Sequence, residues 1–205
     1  MPYAVVCLSA VYGAAADEIA PLVAERLGFR LIDEEIVDQA AREADIDPRH
    51  VADVERRKSL ISRVLDRTGA PATTARGTGG WRPDSGLDGE ALRSLIRSTI
   101  EEVAAQGRVV ILAHAASFAL HERSDTLRVL LTASPRTREG RLADVGDAAK
   151  RLAESDAARA DYLKRFYGVS AERPYHYDIV VNTDRVTASD AASRIAAMAT
   201  GAGIR

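Results

Sequence analysis

The chain has 205 residues, 46% of them hydrophobic and 28% charged, and a formal net charge of −2. That is the composition of a globular domain able to bury its own core, and the near-neutral balance excludes an overall field toward nucleic acid or an anionic membrane. Aromatic residues are only 5%, against a base-stacking platform, and Cys7 stands alone, which excludes an intrachain disulfide and argues against a cysteine-rich zinc site.

The first stretch, VVCLSAVYGAAADEIAPLVAERLGFRLID (5–33), reads as strand, turn, helix, strand. AVVCLS (4–9) is a β-branched apolar run, as in a buried parallel strand, and Cys7 within it is expected to be a core thiol. Ile19, Leu22, Val23 and Leu27 fall at helical spacing and Gly28 stops the helix. FRLID (29–33) is a second strand signal. Helices are predicted over 34–46 and 47–67, the latter with Asp47 as cap and Pro48 at its first position. Residues 68–90, rich in Gly, Pro, Ser and Thr around Trp81, predict a long mobile loop. A helix is predicted at about 88–105, strands at 108–115 and 127–134, and a long charged helical region over about 135–167. YDIVVNTD (177–184) is a fifth strand, and TASDAASRIAAMA (187–199) a closing helix capped by Thr187. Strands alternating with helices predict an α/β parallel sheet. No run reaches the ~18 apolar residues of a membrane span. The N-terminus has no charged-then-apolar signal pattern, so the expected location is the cytoplasm.

In open parallel sheets ligands sit at the carboxyl ends of the strands, and a helix N-terminus there offers unpaired N–H groups to an anion. The topology therefore points to Gly13–Glu18.

Five stretches in order resemble the cytidylate kinase-like family of P-loop nucleoside monophosphate kinases: SAVYGAAADEIA with LGFRLID, GRVVILAHAASFAL, LRVLLTASPRTREGRL, SDAARADYLKRFYG and YDIVVNTDRVTASDAA. The likeness runs nearly end to end. It implies one P-loop NTPase-like domain over 1–205, a three-layer α/β/α fold with a five-stranded parallel sheet. It also implies a helical acceptor-side region at about 34–105, with the mobile loop inside it, and lid-like helices at about 135–167. By the same resemblance Gly13, Ala14, Ala15, Ala16, Asp17 and Glu18 would cradle donor phosphates. Asp33 would lie on the acceptor side. Arg138, Arg141, Asp156, Arg159 and Arg165 would come from the lid and clamp phosphates, and Asn182 and Thr183 would border the donor base. Guanidinium suits this chemistry, because phosphoryl transfer is largely positioning and charge neutralisation. Arg138 and Arg141 also stand three apart on a helix, where solvated or acid-paired arginines are common.

The sequence departs from the family pattern in three places. G-x-x-x-x-G-K-[ST] is absent, and where looser relatives keep Gly-Ser-Gly-Gly and a basic residue this chain has Gly13-Ala14-Ala15-Ala16 and Asp17. Alanine narrows the room for backbone to wrap a phosphate, and Asp17 puts a carboxylate in the anion site. Pro21 has no N–H, so the helix is expected to start late or lose one bond, with Asp17 or Glu18 capping it and occupying the amides. After the third strand stands Ala113-His114-Ala115, where relatives tend to have Gly-Arg-Gly; His114 is a weaker phosphate contact or a structural group.

Two readings follow. One is ATP- and Mg²⁺-dependent phosphorylation of a nucleoside monophosphate (CMP- or dCMP-like) or a related small acceptor. The other is a kinase fold that has lost turnover and serves as a nucleotide-binding or partner-binding regulatory module. Glu18, Asp33 or Glu34 could hold a hydrated Mg²⁺, with no ligand set singled out. The partner is a small-molecule nucleotide. Nucleic acid is disfavoured because ERRK (55–58) reads as a solvated helix face, and apolar segments in VILAHAASFAL or 34–67 could join a homodimer.

Overall fold

The structure, a computed structural model, describes residues 3–33, 89–113, 115–144 and 146–202. The helices expected over 34–46 and 47–67, the 68–88 part of the loop with Trp81, Glu34 and His114 lie outside these residues.

Val5–Ala10 forms β1 and Ala16–Leu27 forms α1, which buries Ile19, Ala20, Val23 and Ala24. Each large apolar side chain so buried contributes about 1.5–3 kcal/mol. Gly28 ends α1 in the left-handed conformation at φ 60°, its N–H on Glu25 O and the Phe29 N–H on Ala24 O. This paired closure is favoured by glycine, which lacks a Cβ. Arg30–Asp33 is β2. Then come α2 (Gly89–Ala105), β3 (Val109–Leu112), a short α3 (Ala116–Ala119) and β4 (Thr126–Thr132). They are followed by α4 (Pro135–Arg141), α5 (Ala148–Tyr167), a 3₁₀ turn at Pro174–His176, β5 (Ile179–Asn182) and α6 (Ala188–Thr200).

All five strands are parallel, in the order β2-β3-β1-β4-β5. Alternation along β1 sends Val5 and Cys7 to one face, with Ile100, Val103 and Ala116. Val6 and Leu8 go to the other, with Ile19, Val23, Ala192 and Ile195. The sheet is therefore covered on both sides, the three-layer α/β/α arrangement expected from near-continuous apolar strands. Cys7 is fully buried, and burial pushes its thiol well above the ordinary range.

The helical region predicted over 135–167 is two helices. The chain turns between Arg141 and Ala148, and Asp147 takes a left-handed φ of 59° just before α5. Thr187 caps α6 as predicted, its hydroxyl accepting from Asp190 N at 3.1 Å. Ser134 does the same for α4, with Pro135 at the first helical position. Of the two outcomes expected for α1, a late start or one lost bond, the structure has the lost bond. The helix begins at Ala16 and carries Pro21 inside, where the missing N–H leaves the Asp17 carbonyl without its helical donor. Among the described residues no helix is long and apolar enough to cross a membrane.

Candidate functional site

β1 is the central strand; the chain passes to β2 and β3 on one side of it and to β4 and β5 on the other. The crevice such a reversal opens lies at the carboxyl end of β1, where the turn 11–15 leads into α1. Ala14 N donates to Val11 O at 3.1 Å and closes the turn. From Gly13 to Ala16 the sign of φ alternates: positive at Gly13 (80°), negative at Ala14, positive at Ala15 (62°), negative at Ala16. Alternation of this kind points successive N–H groups into one concavity, the backbone geometry of an anion nest. Ala15 reaches it without glycine. Ala14 turns its side chain into the core and is 1% exposed.

The carbonyls of Tyr12, Gly13 and Ala14 in this turn, and that of Ala10 before it, have partners from distant parts of the chain. Tyr12 O accepts from Arg138 Nε at 2.6 Å, and Gly13 O from an Arg141 terminal nitrogen at 2.9 Å. Ala14 O accepts from the Thr183 hydroxyl at 3.3 Å, and Ala10 O from Arg159 at 3.4 Å. The peptide unit is planar, so a carbonyl turned toward these side chains turns its N–H the other way. The amides of Gly13, Ala15, Ala16 and Asp17 have no acceptor among the described residues.

Each arginine is also tied to its surroundings. Arg138, buried on α4, forks onto the Asp156 carboxylate of α5 at 2.9 and 2.6 Å. Arg141, one turn along and exposed, reaches Thr183 Oγ1 at 2.9 Å and Thr183 O at 2.7 Å. Arg159 is buried on α5 and forks onto Glu172 at 2.9 and 2.6 Å, with the Tyr177 hydroxyl closing on the same carboxylate. Burial alone would raise the Glu172 carboxyl, but the Arg159 fork and the Tyr177 hydroxyl outweigh it and hold the group below the usual range. Burial drives the Tyr177 hydroxyl upward. Next to this group Ser9 Oγ donates to Ala113 O at 3.4 Å and lies 3.2 Å from Ser117 Oγ.

Of the residues expected in the site, the fold brings Arg141 and Thr183 onto Gly13 and Ala14, Arg138 with Asp156 behind it onto Tyr12 O, and Arg159 onto Ala10 O. Asn182 ends β5, is exposed, and accepts from Asp184 N at 2.9 Å. Arg165 is exposed over the Phe166 ring at 5.6 Å, with no hydrogen bond to the loop among the described residues. Asp33 ends the edge strand β2, half-buried and separated from β1 by β3. Asp17 does not cap α1. The N-cap is Ala15, with no side-chain cap bond, so the expected occupation of the amides by Asp17 or Glu18 is not found. Both acids are exposed in the first turn of α1. Desolvation by the surrounding loop, and then Glu18, raise the Asp17 carboxyl above its ordinary value. Among the described residues no three His, Cys, Asp or Glu side chains converge as a metal site.

Sequence reasoning missed Glu172, Tyr177, Ser9 and Ser134. Ser134-Pro135 carried a readable signal, a capping residue before a first-turn proline. Glu172 carried none, because its partner is set by packing.

The model of the cytidylate kinase-like family matches residues 5–185. No protein of curated function matches the sequence. Among solved structures, an uncharacterized protein from Eubacterium ventriosum ATCC 27560 superposes with a TM-score of 0.64 at 14% identity, over 95% of this chain and 97% of that one. Shikimate kinase from Bacteroides thetaiotaomicron superposes with a TM-score of 0.51 at 17% identity, over 95% and 97% of the two chains. At such identities the superpositions speak for the fold alone.

Proposed function

Since the chain belongs to the cytidylate kinase-like family, we propose that it binds a nucleoside triphosphate at the Gly13–Asp17 turn and transfers a phosphoryl group to a nucleoside monophosphate or a related small acceptor. The observation that carries this reading is the turn itself. Its φ values alternate as a nest requires, its carbonyls are held from behind, and the amides of Gly13, Ala15, Ala16 and Asp17 are left for an anion. The guanidinium groups of Arg138, Arg141 and Arg159 supply positive charge around the same turn. In this reading Asn182 borders the donor base, Arg165 approaches from the lid side, Asp33 lies on the acceptor side, and His114 is a weaker phosphate contact. Residues 1–205 form one kinase-like domain. A Mg²⁺ ion would arrive with the donor phosphates and neutralise their charge. The exposed Asp17 and Glu18 beside the amides suit a hydrated ion held through one or two carboxylates.

A second reading is favoured by one feature. The turn lacks a lysine and carries Asp17 at its end, which weakens anion binding and suits a kinase fold serving as a nucleotide- or partner-binding module. One experiment separates the two: coupled ADP release with ATP, Mg²⁺ and a panel of monophosphates, beside thermal shift with the same ligands. Turnover of a pyrimidine monophosphate supports the kinase. Stabilisation by ATP without turnover selects the binding module.

A further inference from the structure

We propose that Arg138, Arg141 and Thr183 are positioning residues: they hold the Gly13–Asp17 amides ready for a phosphate by taking the carbonyls of the same turn, and do not touch phosphate themselves. This deepens the reading of the turn as an anion cradle and rests on it.

Consider what each side chain is free to do. Arg138 is 6% exposed, with Nε on Tyr12 O and both terminal nitrogens on Asp156. Its own backbone packs against Gly13 so closely that a β-carbon there would lie 3.1 Å from Arg138 Cβ. Swinging this guanidinium toward a ligand would strand a half-exposed Asp156 and release the Tyr12 carbonyl, an outcome opposed by the strength of a forked charged pair. Arg141 spends both terminal nitrogens on Gly13 O and on the side chain and carbonyl of Thr183. Thr183 is 2% exposed, and its hydroxyl has Ala14 O at 3.3 Å and Thr132 O at 3.2 Å within reach. The turn is thereby fastened to the end of β4 and to the β5–α6 connection.

The chain's departure from a glycine-rich turn makes such a fastening necessary. Ala15 stands at φ 62°, a left-handed conformation that costs an alanine about 1–2 kcal/mol. A turn without glycine there does not hold the nest shape on local preference, so bonds from outside must. Fixing the Tyr12 and Ala14 carbonyls turns the N–H groups of Gly13 and Ala15 to the opposite side, since each pair shares one planar peptide. The Arg138 guanidinium on the Tyr12 carbonyl also polarises the peptide that carries the Gly13 amide and strengthens it as a donor, while Arg141 on Gly13 O backs the Ala14 amide that closes the turn onto Val11 O and holds Thr183 in place. The cationic contribution that a P-loop lysine makes from the front is here delivered from behind, through the backbone.

The test compares Arg141→Ala, Arg141→Lys, Thr183→Val and the Arg141→Ala/Thr183→Val double variant with the unaltered protein. Arg138→Lys is the milder probe of the buried site, where alanine could prevent folding. Two quantities are read: amide exchange at Ala15 and Ala16 without ligand, and pyrophosphate affinity by calorimetry across a salt series. Positioning predicts that Thr183→Val, which removes no charge, weakens pyrophosphate about tenfold, like Arg141→Ala. It further predicts that the double variant is no worse than either, that Arg141→Lys recovers part, and that the salt slope stays as in the unaltered protein. Amide exchange should quicken in the weakened variants. The proposal is overturned if Thr183→Val binds normally while Arg141→Ala loses affinity and about one charge of salt slope, the mark of direct contact. Failure of the unaltered protein to bind pyrophosphate would remove the cradle reading instead. The brace is then decided by exchange alone: quickened exchange keeps it, unchanged exchange ends it.

Discussion

Arg138 Cα and Cβ stand 3.3 and 3.1 Å from the place a β-carbon on Gly13 would occupy. Helix α4 therefore lies directly against the turn that ends β1, and Gly13 is required twice, by space and by its φ of 80°. Gly13→Ala should lower stability by about 2–3 kcal/mol, from left-handed strain plus the displaced α4 backbone. Urea unfolding measures this directly, and a change within about 0.5 kcal/mol would refute the close packing.

Ala15 presents the opposite case. It holds a left-handed φ of 62° with a side chain that favours otherwise. Ala15→Gly relieves strain of about 1–2 kcal/mol and costs about 0.5–1 kcal/mol of backbone entropy, so the variant should be as stable as the parent or up to about 1 kcal/mol better. The same urea measurement decides; a clear loss of stability would mean that the methyl group itself is needed.

Asp17 sits beside the open amides with its carboxyl raised by desolvation and by Glu18. A raised value means that mild acid neutralises the group earlier than usual. Anion affinity should then rise as pH falls through that value and fall as pH climbs back. Sulfate, which keeps its charge over this range, is the suitable probe in an isothermal titration series. Asp17→Asn should bind sulfate about fivefold more tightly at neutral pH, the worth of one exposed like charge nearby, and lose the pH dependence. Equal affinity at all pH values in parent and variant would remove Asp17 from the site.

The Arg159–Glu172–Tyr177 group links α5 to the segment before β5 and touches the loop at Ala10 O. Burial opposes the Glu172 charge, but its partners hold the carboxyl below the ordinary range. A lowered folded value means that the stabilisation is full above the unfolded value and is lost as pH falls through the folded one. Glu172→Gln should cost about 2–4 kcal/mol at neutral pH by leaving Arg159 buried without its counter-charge. That deficit should shrink as pH falls through the lowered folded value and the parent's carboxylate protonates in its turn. Denaturation curves at neutral and acid pH give the comparison, and a deficit that persists unchanged in acid would contradict the assignment.

Much of the fold was legible because its signals are local. The apolar run 4–9, the spacing of Ile19, Val23 and Leu27, the stop at Gly28 and the cap at Thr187 each depend on neighbours within a few residues. The helical character of 135–167 was legible from its spacing, but the point at which it divides into α4 and α5 was not marked along the chain. The start of α1 misled for a related reason. Asp17 and Glu18 look like capping residues in sequence, yet the cap position falls to Ala15, which the packing of the turn places in a left-handed conformation.

From sequence alone came the alternation of strands and helices, the position of the turn at Gly13–Glu18, and the chemical types available to it, because periodicity, punctuation and residue chemistry are written along the chain. Only the tertiary structure decided what the arginines hold. Arg138 meets the Tyr12 carbonyl across 126 residues, and Arg141 meets Gly13 across 128. Nothing near 138 or 141 in the sequence states that a backbone oxygen from the first strand's end will stand there. That follows from the parallel order of β1, β4 and β5, which carries α4 and the Thr183 turn to the carboxyl end of the central strand.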